Sequence, residues 1–260
     1  MCGGRGTRLD TAREKPMVRV GGRPMVARVL DAVHESRTER TVAVGSPHTP
    51  ATRAYVEEPP PDAPVAVHSA DYLEAPGEGY VADLKYALDR VDPPVVTVAA
   101  DLPLLAGEVI DRLLGAADGE SLTLCVPAAL VRQLGATVDT SFSVDGRELV
   151  PTGLNIVGAS DTDGDDDGVS DTDGDDDESG GRDSDTDTGS GDADDGSDRE
   201  TNTNLTYDAR AAVNVNRQTD VQVAAALLGD EQELGDEQEL GDEQELGDEQ
   251  ESTAATEGDE

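Results

Sequence analysis

The residues best suited to chemistry come first in the chain: Gly3, Gly4, Arg5, Gly6, Thr7 and Arg8, with Glu14-Lys15-Pro16 close behind. Three glycines in four positions let a backbone turn tightly with no Cβ in the way. The N–H groups of such a turn can converge on an anion. Arg5, Arg8 and Lys15 add cationic donors to the same segment. A loop of this kind suits a triphosphate. It is neither the G-x-x-x-x-G-K-[ST] pattern nor the G-x-G-x-x-G dinucleotide fingerprint. A plain Gly/Arg surface loop is the other reading these residues allow.

A second candidate is Asp101, directly after the apolar run at residues 95–100. In an open α/β sheet, ligands sit at the carboxyl ends of strands. A carboxylate emerging there can hold Mg²⁺ against the phosphate oxygens of an NTP; a helix N-cap or turn Asp is the alternative. Gly77 and Gly79 open a helical pattern, where backbone can approach a flat ligand or a phosphate; a simple turn is the alternative. Asn214 and Asn216 close another apolar stretch, as hydrogen-bonding amides and weak metal ligands. His34, His48 and His68 are scattered without ligand spacing and carry no assigned role.

The elements that must position these groups alternate between helix and strand. Val26, Val29, Leu30 and Val33 lie on one helical face. A strand at residues 41–44 is followed by a helix start at Thr49-Pro50. Residues 65–67 read as another short strand. A helix over 81–88 is expected to face Val81, Leu84 and Leu88 inward. Residues 95–100 form an apolar strand, 109–114 a helix and 122–126 a strand. Asp145-Gly146 is a hairpin turn between residues 142–144 and 149–150. Strands at 154–157 and 211–216 and a helix capped by Thr219 complete the pattern. Alternating helices and apolar strands predict a Rossmann-like α/β domain with a mostly parallel sheet sandwiched by helices.

Charge divides the chain. The net charge is −39, but 19 acids lie in residues 160–200 and 15 in residues 229–260. The remaining 24 of the 58 acids face 17 of the 19 bases, which is ordinary for a mildly acidic domain. Ser-Asp-Thr-Asp-Gly-Asp-Asp-Asp occurs at 160–167 and 170–177. A calcium loop would need Gly at its sixth position; Asp166 and Asp176 stand there. Such Asp/Gly/Ser sequence lacks the apolar surface to offset its ordering entropy, so disorder is expected. A Gly-Asp-Glu-Gln-Glu-Leu repeat from residue 229 reads as a solvated tail. The domain therefore comprises 1–158 and 205–228, the acidic insertion 159–204 and the repeat tail 229–260.

Lysine occurs only at 15 and 85. Acid excess with so little lysine suits work in very high salt, where self-repulsion is screened, and a halophilic archaeon is the expected source. The charge argues against nucleic acid and anionic lipid as partners. Cys2 and Cys125 make no disulfide framework, which fits a reducing cytoplasm. No apolar run is long enough to span a membrane.

Together these residues resemble a known family. Gly3-Gly4-Arg5-Gly6-Thr7-Arg8 with Glu14-Lys15-Pro16 is similar to the opening loop of the molybdenum-cofactor guanylyltransferase-like nucleotidyltransferases. Further blocks resemble one branch, the archaeal GTP:adenosylcobinamide-phosphate guanylyltransferases of cobalamin synthesis. They are Gly45-Ser46-Pro47-His48-Thr49-Pro50-Ala51-Thr52, Gly77-Glu78-Gly79-Tyr80-Val81-Ala82-Asp83-Leu84, Ala100-Asp101-Leu102, Val150-Pro151-Thr152-Gly153-Leu154-Asn155-Ile156-Val157 and Val213-Asn214-Val215-Asn216.

The resemblance implies GMP transfer from GTP to a corrinoid phosphate, with Mg²⁺ as the metal. Gly3, Gly4, Gly6 and Thr7 would cradle the phosphates. Arg8 and Lys15 would neutralise charge on the leaving pyrophosphate, and Asp101 would bind the metal. Gly77, Gly79 and Tyr80 would lie near guanine or ribose, and Asn155, Asn214 and Asn216 near the reacting phosphates or the corrinoid. The number of metals stays open, because Asn214 and Asn216 stand where relatives carry a second Asp ligand. A homodimer is the assembly expected. A molybdopterin or sugar-phosphate nucleotidyltransferase, and an acidic interaction protein without activity, are the alternatives. Relatives enter the glycine loop from an apolar strand, so the true start is expected several codons before Met1.

Overall fold

The computed structural model describes residues 1–3, 9, 11, 13–159 and 202–229. Gly4, Arg5, Gly6, Thr7 and Arg8 lie outside the described residues, as do most of the acidic insertion and the repeat tail.

A 3-10 turn at Lys15–Met17 leads into a small hairpin, β1 (Arg19–Val20) and β2 (Arg23–Pro24). Helix α1 (Met25–Glu35) follows, burying Met25, Val26, Val29 and Leu30 as its periodicity requires. Next come β3 (Val42–Gly45), α2 (Pro50–Glu57), α3 (Val65–His68), β4 (Asp71–Glu74) and α4 (Tyr80–Leu88). The middle of the chain supplies β5 (Val95–Val98), α5 (Gly107–Ala116), β6 (Leu122–Pro127) and α6 (Ala128–Gln133). The hairpin of β7 (Phe142–Val144) and β8 (Arg147–Val157) turns at Asp145-Gly146, both with positive φ. The described chain ends with β9 (Thr203–Leu205) and α7 (residues 218–229).

The strands run mostly in one direction. β3 pairs with β4 in parallel, and β6 with β9 in parallel. The larger sheet has the order β5-β8-β6-β9, with β7 paired to β8. β8 runs against β5, β6 and β7, which therefore share a direction. The main core packs Met25 of α1 and Ile110 and Leu113 of α5 against Leu124, Leu154 and Val213. This is the α/β fold class expected from the alternating pattern.

Four local readings are corrected. Residues 65–67 are helical. Pro64 starts the turn, and Ala66 and Val67 pack with Val26, Ala27 and Leu30. The strand of this region is β4, whose pattern is masked by a polar residue at each end, Asp71 and Glu74. Residues 211–216 join no strand ladder. A 3-10 turn at Ala209–Ala211 precedes them, and Val215 N–H donates to the Asp101 carbonyl at 2.9 Å. Val213 and Val215 are fully buried all the same, so alternation reported burial rather than pairing.

In α4, Asp83 and Ala87 are the buried residues, Leu84 and Leu88 are half-buried, and Val81 is 78% exposed. Finally, Thr219 does not cap α7. Asp220 reaches back and accepts from Asn216 N–H at 3.0 Å and Arg217 N–H at 2.8 Å. Separately, β9 spans Thr203–Leu205, across the 204/205 boundary expected between insertion and domain.

Asp220 is fully buried, and its other oxygen accepts Thr137 N–H at 2.9 Å. Three backbone donors depend on this one carboxylate. Leaving buried donors unsatisfied costs about 1–3 kcal/mol each. Asp220→Ala is therefore expected to lose about 3 kcal/mol or more in urea unfolding. A loss below about 1 kcal/mol would show that solvent replaces the carboxylate.

Candidate active site

Lys15 opens the 3-10 turn after the glycine loop, and the buried ring of Pro16 fixes its exit. Asp101 follows β5 at the carboxyl end of the sheet. The fold brings the two together across 86 positions, with Lys15 Nζ donating to Asp101 Oδ2 in a short contact. The same ammonium donates to Asn216 Oδ1 at 2.6 Å, across 201 positions. Asn216 Nδ2 in turn donates to Asn214 Oδ1 at 3.0 Å. The Lys15 and Asp101 side chains are only 16% and 15% exposed.

The second Asp101 oxygen, Oδ1, is buried and has no hydrogen-bond partner among the described residues. A buried carboxylate oxygen without a donor is costly and suits a cation. No group of three or more His, Cys, Asp or Glu side chains gathers to hold a metal among the described residues. Mg²⁺ does not require one, since it commonly takes one or two carboxylates and completes its shell with water and substrate phosphates. Asp101 fits that mode, and Asn214 and Asn216 fit the neutral amides beside it.

A cavity of about 500 Å³ opens beside this cluster. Gly3, Lys15, Gly77, Gly79, Tyr80 and Asp101 line it. Its walls are fixed by side chains bonded to backbone. Ser46, buried after β3, donates its hydroxyl to the Gly3 carbonyl at 3.1 Å. Thr49 closes the Ser46 turn through Oγ1 contacts at 3.1 and 3.2 Å. Asp83 Oδ1, one turn into α4, accepts Gly77 N–H at 2.7 Å. Gly77 has φ +80°, and a Cβ there would lie 3.2 Å from the Pro47 ring. Both conformation and space therefore call for glycine. Burial and the nearby Asp101 carboxylate push the Tyr80 phenol upward, against a hydrogen bond with Thr97.

Glu14 has the most bonds of any residue in its motif. Its carboxylate takes Ala51 N–H, Thr52 N–H and the Thr52 hydroxyl, each at 2.7 Å. These are the first-turn donors of α2, where the helix dipole favours an anion. Glu14 thereby pins the backbone that carries Lys15 to the helix after β3.

Six of the residues singled out from sequence thus line one cavity, and Asn214 and Asn216 join it through Lys15. Asn155 does not reach the ion pair. It sits on β8 opposite Thr97, with its amide donating to Thr97 Oγ1 at 3.4 Å. The supporting roles of Glu14, Ser46, Asp83 and Asp220 escaped sequence reading. The first three lie inside the motif blocks, and their partners are backbone groups, which leave no signature in residue types.

The MobA-like NTP transferase domain model matches residues 1–140. The chain belongs to that family. Its family is one of nucleotidyltransferases, in keeping with a cavity lined by glycines and a lysine–aspartate pair. It is 27% identical over 165 residues to the adenosylcobinamide-phosphate guanylyltransferase of Methanocaldococcus jannaschii, covering 60% of this chain and 78% of that protein. It is 32% identical over 126 residues to the bifunctional protein GlmU of Streptomyces coelicolor, covering 48% of this chain but only 26% of that protein. Among solved structures, a hypothetical transferase from Thermus thermophilus matches with a TM-score of 0.44 and 21% identity, over 62% of this chain and 64% of that one.

Substitutions at two residues test this site. Lys15→Ala is expected to lower nucleotidyl-transfer turnover by at least about 100-fold, the scale of one lost electrostatic contact to a transferring group. Turnover within a few-fold of the parent would remove Lys15 from the reaction. Glu14→Ala is expected to cost about 1–2 kcal/mol in urea melts, as the loss of a helix-start acceptor does. Glu14→Gln should recover at least half of that, because its amide oxygen still accepts.

Proposed function

We propose that the protein transfers GMP from GTP to adenosylcobinamide phosphate, releasing pyrophosphate. The observation that carries this reading is the cluster of Lys15, Asp101 and Asn216 at the mouth of a cavity lined by Gly3, Gly77 and Gly79. The named relative in Methanocaldococcus jannaschii, matched over 78% of its length, supplies the substrate class.

In the reaction, an oxygen of the substrate's terminal phosphate attacks the α-phosphorus of GTP. The bond from that phosphorus to the β-phosphate bridge oxygen breaks, and pyrophosphate departs in line. Such transfer needs positioning and charge neutralisation more than covalent chemistry. Lys15 supplies the positive charge that the departing phosphates need. Its pairing with Asp101 holds the ammonium in place before substrate arrives. Asn216 keeps the ammonium oriented from the other side, and Asn214 fixes the amide of Asn216. Gly3, Gly4, Gly6 and Thr7 cradle the phosphates, Arg8 joins Lys15 in neutralising the leaving pyrophosphate, and Tyr80 with Gly77 and Gly79 borders guanine and ribose. Asn155 acts through Thr97, which also hydrogen-bonds Tyr80. Mg²⁺ held by Asp101 would supply charge neutralisation on the phosphate oxygens.

The reading extends to setting. The enzyme works in the cytoplasm of a halophile as a homodimer, with the acidic insertion and tail as salt-adaptation devices. The second reading is the alternative that the family resemblance leaves open, transfer to a sugar phosphate or to molybdopterin.

Calorimetric titration with GTP, ATP, CTP and UTP in Mg²⁺, followed by an acceptor assay, separates them. GTP is expected to bind at least about tenfold more tightly than the others, a difference of about 1.4 kcal/mol, and adenosylcobinamide phosphate to be consumed. Tighter binding of another nucleotide, with turnover of a sugar phosphate in place of the corrinoid, would overturn the reading in favour of the sugar acceptor. Deletion of 160–201 and 230–260, which spares β9 and α7, is expected to leave transfer intact in high salt.

A further inference from the structure

Positive charge gathers at one place on this acidic chain. The β1–β2 hairpin and the start of α1 carry Arg19, Arg23 and Arg28, in a protein with 58 acids and 19 bases. Arg19 and Arg23 are exposed, and Arg28 is half-buried. Arg19 and Arg23 both lie within electrostatic reach of the Tyr55 phenol on α2, as does Asp62, and Arg23 is within reach of Arg28. Elsewhere Arg37, Arg53, Arg112, Arg132 and Arg217 each hold a carboxylate. At the hairpin Asp31 pairs with Arg23, whereas Arg19 and Arg28 donate to main-chain carbonyls. Arg19 Nη1 reaches Gly22 O at 2.6 Å, and Arg28 reaches Val20 O at 2.8 Å and Gly21 O at 3.3 Å. A guanidinium has five N–H donors, more than these bonds use. Burial and the nearby Arg23 push the Arg28 guanidinium downward, and Asp31 offsets only part of this.

Helix α7 ends at the same turn. A Cβ at Gly21 would lie 2.7 Å from Arg28 Nη2 and 3.3 Å from Leu228 Cδ1, so the guanidinium and the last turn of the helix meet there. A helix C-terminus carries partial negative charge and favours cations. Residues 225–229 supply none, being Ala, Ala, Leu, Leu and Gly. Instead Asp230, Glu231 and Glu233 follow at once, the first acids of a tail with 15 acids and no base. An extended chain advances about 3.3–3.6 Å per residue, so the first two of these start within about 11 Å of Leu228. The acids belong to the tail, and the cations that suit this helix end belong to the hairpin.

We infer that the β1–β2 hairpin, through Arg19, Arg23 and Arg28, is the docking surface for the first acidic repeat of the chain's own tail, residues 229–234. Carboxylates of Asp230, Glu231 and Glu233 take the remaining guanidinium donors and fasten the end of α7 to the hairpin. Single exposed ion pairs contribute little. Here three carboxylates act together on three guanidiniums, and the short tether keeps their local concentration high. Later copies of the repeat offer the same acids on a longer tether, which favours the first. The acidic insertion is rooted elsewhere, at the start of β6. There Gly158 N–H donates to Ser121 Oγ and Asn202 Nδ2 to Glu120 Oε2, each at 2.8 Å. Salt sets the strength of the contact, since the Debye length falls from about 8 Å at 0.15 M to about 3 Å at 1 M. The inference is independent of which nucleotide or acceptor the enzyme uses.

The full chain has no tryptophan, so Gln232→Trp places a single indole in the first repeat. Acrylamide quenching of its emission reads whether that repeat lies against the domain. At about 0.15 M salt, quenching is expected to be at least about twofold weaker than in the same chain carrying Arg19→Gln and Arg28→Gln, and the difference is expected to fade by about 1 M. Asp230→Asn, Glu231→Gln and Glu233→Gln leave every described residue untouched and should raise quenching as the arginine changes do. Should Arg28→Gln unfold the domain, Arg19→Gln and the tail changes carry the comparison. Equal quenching in all these chains, or protection indifferent to salt, would overturn the inference. Protection that grows with protein concentration would overturn it too, by placing the repeat on the hairpin of a second copy.

Discussion

The structure depends on where the Lys15 ammonium goes. A charge that is mostly shielded from water must be paired, since desolvation costs several kcal/mol. Asp101 and Asn216 meet that demand from opposite ends of the chain. The first comes off β5, and the second comes off the return segment after the acidic insertion. Val215 adds a main-chain bond to the Asp101 carbonyl, so the return segment is held to β5 twice. The Lys15–Asp101–Asn216 cluster and the closure of the fold are thus one set of contacts. On the proposed reading, phosphate meets a lysine that Asp101 and Asn216 already hold in place, so the cost of ordering that long side chain is met on folding rather than on binding.

Around this pair the chain uses carboxylates as backbone anchors. Glu14 takes the first-turn donors of α2, Asp83 takes Gly77, and Asp220 takes the turn before α7. Each ties a mobile type of segment to a helix start, where the local field favours negative charge. The surface pairs are a different matter. Arg53 with Glu57, and Arg132 with Glu148, are largely exposed. Pairs of that kind contribute little. What an acid-rich composition adds to this fold is concentrated in the few carboxylates whose oxygens face main-chain donors.

Two cavities share Met1 and Cys2 and differ in character. The first is ringed by glycines, Lys15 and Asp101. The second is walled by valine and leucine and edged by strands. A single stretch of main chain, bonded to Val44 and Val98, separates them. Any change in how firmly the sheets are joined therefore reaches the start of the glycine loop through two residues.

Sequence alone determined the alternation of helix and strand, because apolar periodicity is a local property and α1, β5 and α5 obey it. It also determined which residues could act: Gly3, Lys15, Gly77, Gly79, Tyr80 and Asp101 have the right chemistry, and they meet in one cavity. Residue types could not reveal pairing. The valines of 65–67 looked like a strand and are a turn of helix packed on α1, because Pro64 and the neighbouring core decide it. Residues 213–216 looked like a strand, yet the available partner for Val215 is the Asp101 carbonyl rather than a ladder. Likewise Asn155, grouped with the other asparagines by type, is turned toward Thr97 by the register of β8 on β5. Only the tertiary structure could bring Lys15 to Asp101 and Asn216, because contacts across 86 and 201 positions follow from the path of the whole chain.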